Sequence, residues 1–232
     1  MRKLAIVTGA SSGVGYSVCE LLQEKGYMVV ALSRTDKKIL RLIEKDDSLE
    51  HYCVDLIDYG ETKKIFALIE EKYEKIDLVV NCAASFESTK FVHQNIDNIN
   101  KIIDTNIKTY VNVIKLSLPS MISAKNGLII NIASVSGKYG IENQAVYSCT
   151  KHALSGLAGA LAKEMFGKNI KITTLYPGGI DTELWNENNP YLGSTEDLIK
   201  PAEIAEIIYF VCQLPANIVM KEMTFFPRNE LH

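Results

Sequence analysis

Ser134, Tyr147 and Lys151 stand in that order, with Tyr147 and Lys151 four residues apart. On a helix that spacing puts both side chains on one face. A tyrosine with an ordinary pKa of about 10 is a poor acid or base near neutrality. A neighbouring cation favours the phenolate, so Lys151 is expected to draw the Tyr147 pKa down toward the working range. Ser134, thirteen residues before Tyr147, is placed to hold a carbonyl or alcohol oxygen while Tyr147 passes it a proton. Such a trio suits proton transfer coupled to hydride exchange with a nicotinamide.

A second group lies near the N-terminus, where an apolar run ends in Thr8-Gly9-Ala10-Ser11-Ser12-Gly13-Val14-Gly15 and a helix begins within it. Gly9 permits a tight turn, Gly13 lets the backbone approach a pyrophosphate, and Gly15 lets helix and strand pack closely. The helix N-terminus offers free N–H donors and partial positive charge, to which Ser11 and Ser12 add hydroxyls. At the end of the next strand, where an acidic residue would bind a free ribose 2′-hydroxyl, the chain has Ser33-Arg34-Thr35. The planar donor fork of Arg34 suits a 2′-phosphate and so favours NADP(H) over NAD(H). Asp55 and Leu56 end the third strand where an adenine amino group would sit, and Asn81, Ala83 and Ala84 end the fourth beside the expected cofactor.

Short β-branched runs alternating with helical periodicity must carry these groups, a pattern that calls for parallel strands joined by crossover helices. Strands are expected at Leu4–Thr8, Met28–Leu32, Glu50–Val54, Leu78–Asn81, Leu128–Ala133, Lys171–Tyr176 and Met223–Phe226. The first helix, with Val14, Val18, Leu21 and Leu22 on one face, closes at Gly26. Further helices are expected near 36–46, 60–75, 95–124, 146–168 and 201–213. In the fifth of these six helices a surface of small residues, Ala153, Gly156, Leu157, Gly159 and Ala160, would permit close packing against another helix and reads as packing on its own sheet, with a subunit contact as the alternative. The fold class is therefore α/β, one Rossmann-type domain over 1–232, with a cofactor half over about 1–125 and a catalytic half over about 126–232. The least periodic stretch, 181–200 with Asn188, Pro190 and Gly193, reads as a loop or lid.

Composition narrows the partners. Lys plus Arg number 25 against 28 Asp plus Glu, a net charge of −3 without basic blocks, which gives no reason to expect nucleic acid. The N-terminal apolar run is far short of a span and fits a signal peptide poorly, so no membrane partner is expected. Five scattered cysteines (Cys19, Cys53, Cys82, Cys149, Cys212) without a C-x-x-C pair point to a reducing cytoplasm. Cys149, between Tyr147 and Lys151, reads as a packing residue. His51, His93, His152 and His232 share no ligand spacing, and no metal is expected.

Taken together, these motifs resemble those of the short-chain dehydrogenase/reductase family over essentially the whole chain. Thr8 to Gly15 matches the family's T-G-x-x-x-G-x-G turn, Asn106 its helix asparagine, Ser134, Tyr147 and Lys151 its catalytic trio, and Pro177-Gly178-Gly179-Ile180-Asp181-Thr182 its nicotinamide-side loop. The resemblance implies that Asn106 holds a relay water, that Lys151 also binds the nicotinamide ribose, and that Ile180 and Thr182 meet the carboxamide. Where the family usually reads N-N-A-G, this chain has Asn81-Cys82-Ala83-Ala84. The ending from Leu214 to Pro227 resembles the NADP-linked 3-hydroxy acid (serine-type) branch, which implies a small 3-hydroxy acid as substrate. A broad reductase of apolar or cyclic ketones and a non-catalytic NADP(H)-sensing regulator are the alternatives. Ser136, Asn143, Gly178, Leu184 and Trp185 are candidate substrate contacts with Ser134 and Tyr147. The family resemblance further implies a homodimer or homotetramer.

Overall fold

In the computed structural model, residues 2–36, 38–45, 47–187, 189–191 and 195–230 are described. Asn188, Gly193 and His232 lie outside them. The strands are β1 (Leu4–Thr8), β2 (Met28–Ser33), β3 (Leu49–Cys53), β4 (Leu78–Asn81), β5 (Gly127–Ile132), β6 (Ile170–Pro177) and β7 (Glu222–Phe225). They form one parallel sheet in the order β3-β2-β1-β4-β5-β6-β7. The order reverses between β1 and β4, which opens a crevice at the carboxyl ends of the strands.

Helices α1 (Gly13–Glu24), α2 (Leu40–Ile43), α3 (Tyr59–Lys72), α4 (Ile96–Ile103), α5 (Thr109–Ala124), α6 (Ala145–Glu164) and α7 (Pro201–Cys212) cover both faces. The period-two alternation of β1 shows why both must be covered. Ala5 and Val7 join one apolar cluster with Val18 and Leu22 of α1 and Ile204 and Ile208 of α7. Leu4 and Ile6 join another with Phe66 of α3, Val113 of α5 and Ala158 of α6. A strand buried on both faces has no polar side, hence its unbroken apolar run.

The observed strands depart from the expected ones by a residue or so at their ends. Among the described residues around 36–46 the regular helix is Leu40–Ile43. The stretch expected as one helix over 95–124 is interrupted at Asp104–Lys108 by a π-helical turn that separates α4 from α5. The small-residue surface of α6 also differs from expectation. Leu154 and Ala158 pack inward, but Ala153, Gly159 and Ala160 are exposed, and a Cβ on Gly156 or Gly159 would meet nothing within 4 Å. Leu157 packs partly against the core, while the small residues of the surface face away from the sheet because Leu154 and Ala158 take the inner face.

Candidate active site

The carboxyl ends of β1, β2, β4, β5 and β6 surround a cleft of about 440 Å³. At its first corner the backbone of Gly9 is left-handed, with φ of 65°, and a Cβ there would lie 2.9 Å from the Ala83 backbone. A Cβ on Gly15 would lie 2.3 Å from the Gly9 carbonyl oxygen, so the close approach of helix and strand expected at Gly15 is realised. Thr8 Oγ1 accepts from the backbone N–H of Cys82 at 3.0 Å and of Ala83 at 3.2 Å, joining the ends of β1 and β4. Ser12 takes the N-cap position of α1 without a side-chain cap bond, so the first-turn N–H groups remain available to an anion. That cradle fits a dinucleotide pyrophosphate.

Ser11, Ser12, Gly13 and Val14 line the cleft, as do Ser33, Arg34 and Thr35 after β2 and Asp55 and Leu56 after β3. Arg34 is exposed. Ser33 Oγ donates to the Thr35 carbonyl at 2.7 Å, holding the turn that presents Arg34. Asp55 Oδ1 accepts from Ile57 N–H at 3.1 Å, so part of this carboxylate serves its own turn. Ala83, Ala84, Pro177, Gly178, Ile180 and Thr182 complete the wall. Asn81 does not reach it. This side chain is 1% exposed and donates to Asn131 Oδ1 at 2.9 Å inside the sheet.

At the other end, Ser134 follows β5 and its Oγ accepts from Ser136 N–H at 3.1 Å. Tyr147 and Lys151 occupy the first two turns of α6, both buried and both lining the cleft. Lys151 Nζ donates to the Ile132 carbonyl at 2.9 Å and sits 5.5 Å from the Tyr147 ring centroid. Tyr110 Oη donates to the same carbonyl at 2.9 Å. Burial outweighs the expected lysine effect on Tyr147. The phenol is pushed up to about 12 by desolvation, with the Ser134 hydroxyl pulling the other way. Desolvation pushes Lys151 down to about 7, against the field of Cys82. A lysine that loses its charge near neutrality is a weak prop for a phenolate, which corrects the expectation drawn from spacing alone.

Asn106 lies in the π-helical turn and is fully buried. Its Oδ1 accepts from Ser85 N–H at 2.7 Å, and its Nδ2 donates to the Ser85 carbonyl at 2.9 Å and to Thr150 Oγ1 at 3.0 Å. Thr150 Oγ1 donates in turn to the Tyr147 carbonyl at 2.8 Å. Both amide hydrogens are committed, so this side chain ties the segment after β4 to the Tyr147-bearing turn of α6.

Of the candidate substrate contacts, Ser136, Gly178, Leu184 and Trp185 line the cleft with Ser134 and Tyr147. Asn143, with φ of 64°, is not among the lining residues; its carbonyl accepts from Thr89 N–H at 2.8 Å. Gln144 lines the cleft instead and accepts from Ser136 Oγ at 2.9 Å. It is the N-cap of α6, three residues before Tyr147. Phe86 carried no sequence signal. Its ring meets Tyr147 edge-on at 4.8 Å and Trp185 at 5.0 Å, and Trp185 meets Tyr191 at 5.0 Å. Glu230 also lines the cleft, its Oε2 accepting from Gly179 N–H at 2.7 Å.

The loop from Asp181 is held at its base by Asp181 N–H donating to the Ile199 carbonyl at 2.9 Å. Asn189 Oδ1 accepts from Ser88 N–H at 2.8 Å. Among the described residues no helix is long and apolar enough to cross a membrane, and no three His, Cys, Asp or Glu side chains are grouped to hold a metal ion.

A switch-point cleft with a glycine turn at one end and a Ser-Tyr-Lys set at the other defines a nicotinamide-dependent oxidoreductase fold. Residues 3–192 match the family described as short chain dehydrogenase, and the chain belongs to that family, whose members use nicotinamide cofactors. An uncharacterized oxidoreductase of Staphylococcus aureus is 30% identical over 227 residues, 97% of each chain. Among solved structures, a 4-hydroxyisoleucine dehydrogenase mutant complexed with NADH and succinate is 27% identical, with a TM-score of 0.88 over 97% of both chains. ElxO with NADP bound is 26% identical, with a TM-score of 0.86 over 98% of both. The closed form of serine dehydrogenase complexed with NADP+ shares the fold at 23% identity, with a TM-score of 0.90 over 99% of this chain and 96% of that one.

Proposed function

We propose that the protein interconverts a secondary alcohol and a carbonyl by hydride transfer with NADP(H). The observation that carries this reading is the joining of Tyr147, Ser134 and Lys151 to the glycine turn and Arg34 in one continuous cleft. The nicotinamide supplies or takes the hydride when bound. Ser134 holds the substrate oxygen, and Tyr147 donates a proton in reduction and accepts it in oxidation. Lys151, fixed by the Ile132 carbonyl, would hold the nicotinamide ribose. Asn106 is a positioning residue, setting α6 against the segment that carries Phe86. The first-turn N–H groups of α1 hold the pyrophosphate, and Arg34 takes a 2′-phosphate. The NADP bound by ElxO accords with this preference, and the NADH bound by the 4-hydroxyisoleucine dehydrogenase makes it the point to measure.

For the substrate, a small 3-hydroxy acid follows from the resemblance of the chain ending, and serine dehydrogenase is a fold neighbour. The aromatic wall of Phe86, Trp185 and Tyr191 favours the second reading, an apolar or cyclic carbonyl compound.

Tyr147→Phe tests the reaction. It is expected to lower kcat by about 1000-fold or more while NADPH affinity by fluorescence titration stays within about twofold, since only the proton donor is lost. Full activity in this variant would refute the mechanism, and a wild-type protein that binds NADPH but turns over no alcohol or carbonyl would favour a cofactor-sensing regulator.

A further inference from the structure

We propose that His51 is a positioning residue for the cofactor: acting through Ser33, it sets the turn that carries Arg34 and so sustains a preference for NADPH over NADH. This inference rests on the reading of Arg34 above. Its source is β3, the edge strand beside β2. β1 is apolar and buried along its length, whereas β3 carries Glu50 and His51 and is buried only at Leu49. The parallel register sets Ala31 against His51 and Ser33 against Cys53. Side chains along a strand alternate between faces, so Ser33, His51 and Cys53 share one face at the carboxyl ends of β2 and β3.

Each contact on that face has a direction. Ser33 Oγ carries one proton, and it goes to the Thr35 carbonyl at 2.7 Å. The 2.8 Å contact between Ser33 Oγ and His51 Nε2 therefore runs from the ring N–H to the hydroxyl. Cys53 Sγ donates to the Arg34 carbonyl at 3.0 Å. The carbonyls of Arg34 and Thr35 are thus both anchored by side chains, and the exposed Arg34 side chain rises into the cleft from a fixed root. A root fixed before binding spares the ordering that a loose turn would need when the phosphate arrives. Burial draws the His51 pKa below its usual 6.5, with Asp36 pulling the other way. Above neutrality the ring is therefore an uncharged donor, and what it contributes is orientation, not attraction for the phosphate.

The test is a double-mutant cycle read by NADPH and NADH fluorescence titrations at about pH 8. His51→Phe keeps a ring in place and removes the N–H. It is expected to weaken NADPH about fivefold, the effect of one neutral hydrogen bond, with NADH within about twofold. His51→Gln returns a donor nitrogen at the same number of bonds from the backbone and is expected to bring NADPH back within about twofold of wild type. In an Arg34→Ala background, His51→Phe is expected to change NADPH affinity less than about twofold, because the residue it positions is gone. Ser33→Ala removes the middle of the chain without touching β3 and is expected to show the same loss as His51→Phe, which keeps the proposal open to refutation if the His51 variant does not fold. Equal weakening of both dinucleotides in His51→Phe, as a merely structural role predicts, would overturn the role of His51 alone. An unchanged NADPH affinity, an equal loss with and without Arg34, or no recovery in His51→Gln would do the same. If Arg34→Ala itself left the preference between NADPH and NADH unaltered, the reading of Arg34 would fall and this inference with it, and a wild-type protein that bound neither dinucleotide would overturn the oxidoreductase reading.

Discussion

Replacing Lys151 by methionine should change how stability depends on pH, and the size of the change follows from where the lysine sits. Lys151 is 1% exposed, and burial lowers its pKa from 10.5 to about 7. Below pH 7 the side chain is charged in both the folded and unfolded states, so the folded protein bears the full cost of burying a cation. Between pH 7 and 10.5 the unfolded chain binds a proton that the folded protein does not. Stability must therefore rise with pH across that window. The fall from 10.5 to about 7 corresponds to about 5 kcal/mol in all, with a limiting slope of about 1.4 kcal/mol per pH unit. The remaining titrations are common to both proteins and largely cancel in the difference. Urea unfolding at pH 7, 8 and 9 should show wild type gaining about 1 kcal/mol per pH unit relative to Lys151→Met. Parallel curves for the two proteins would refute the reasoning, because a lysine without that slope is not neutralised by burial. Tyr147, pushed up from 10 to about 12, acts in the opposite sense above pH 10, where the unfolded phenol ionises first. The comparison is cleanest below that point.

Arg34→Asp should weaken NADPH about tenfold or more beyond any effect on NADH, since it removes a charge-assisted contact and adds repulsion; equal weakening in paired fluorescence titrations would count against Arg34 as the phosphate reader. Gly15→Ala should cost about 1–3 kcal/mol in urea unfolding, with the midpoint lowered and the slope unchanged, because its Cβ would press to 2.3 Å on a backbone carbonyl that cannot rotate away. It should also weaken NADPH, whereas wild-type stability in this variant would mean that α1 can slide on β1.

Much of the frame was legible in the sequence, and the residues that escaped show why. Glycine motifs and a Tyr-Lys pair at helical spacing are local, so a linear reading finds them. β1 and β4 match their expected bounds because a parallel strand buried on both faces is an unbroken apolar run. The π-helical turn at Asp104–Lys108 was not visible, since the chain stays helical on both sides and no Pro or Gly marks the interruption. Phe86 and Glu230 reach the site through connections far from Tyr147 along the chain, and no spacing rule links them to it. Asn143 and Gln144 are neighbours in sequence, and only the phase at which α6 begins decides which one faces the cleft. The placement of Asn81 shows the converse, a motif residue whose position was clear but whose partner, Asn131, lay on another strand.

That amide pair has a consequence for how the sheet assembles. Asn81 and Asn131 are register partners of β4 and β5, each flanked by apolar residues with no other polar side chain in its strand. Slipping one strand past the other by a single residue would turn an amide toward the opposite face and leave both without each other, buried among aliphatic groups. The penalty for orphaning buried amides is about 1–3 kcal/mol apiece. Apolar strands alone slide past one another at little cost, so the pair acts as an alignment pin for the two central strands whose ends carry the crevice. A misaligned sheet is thereby discouraged before any ligand is present to select the correct one.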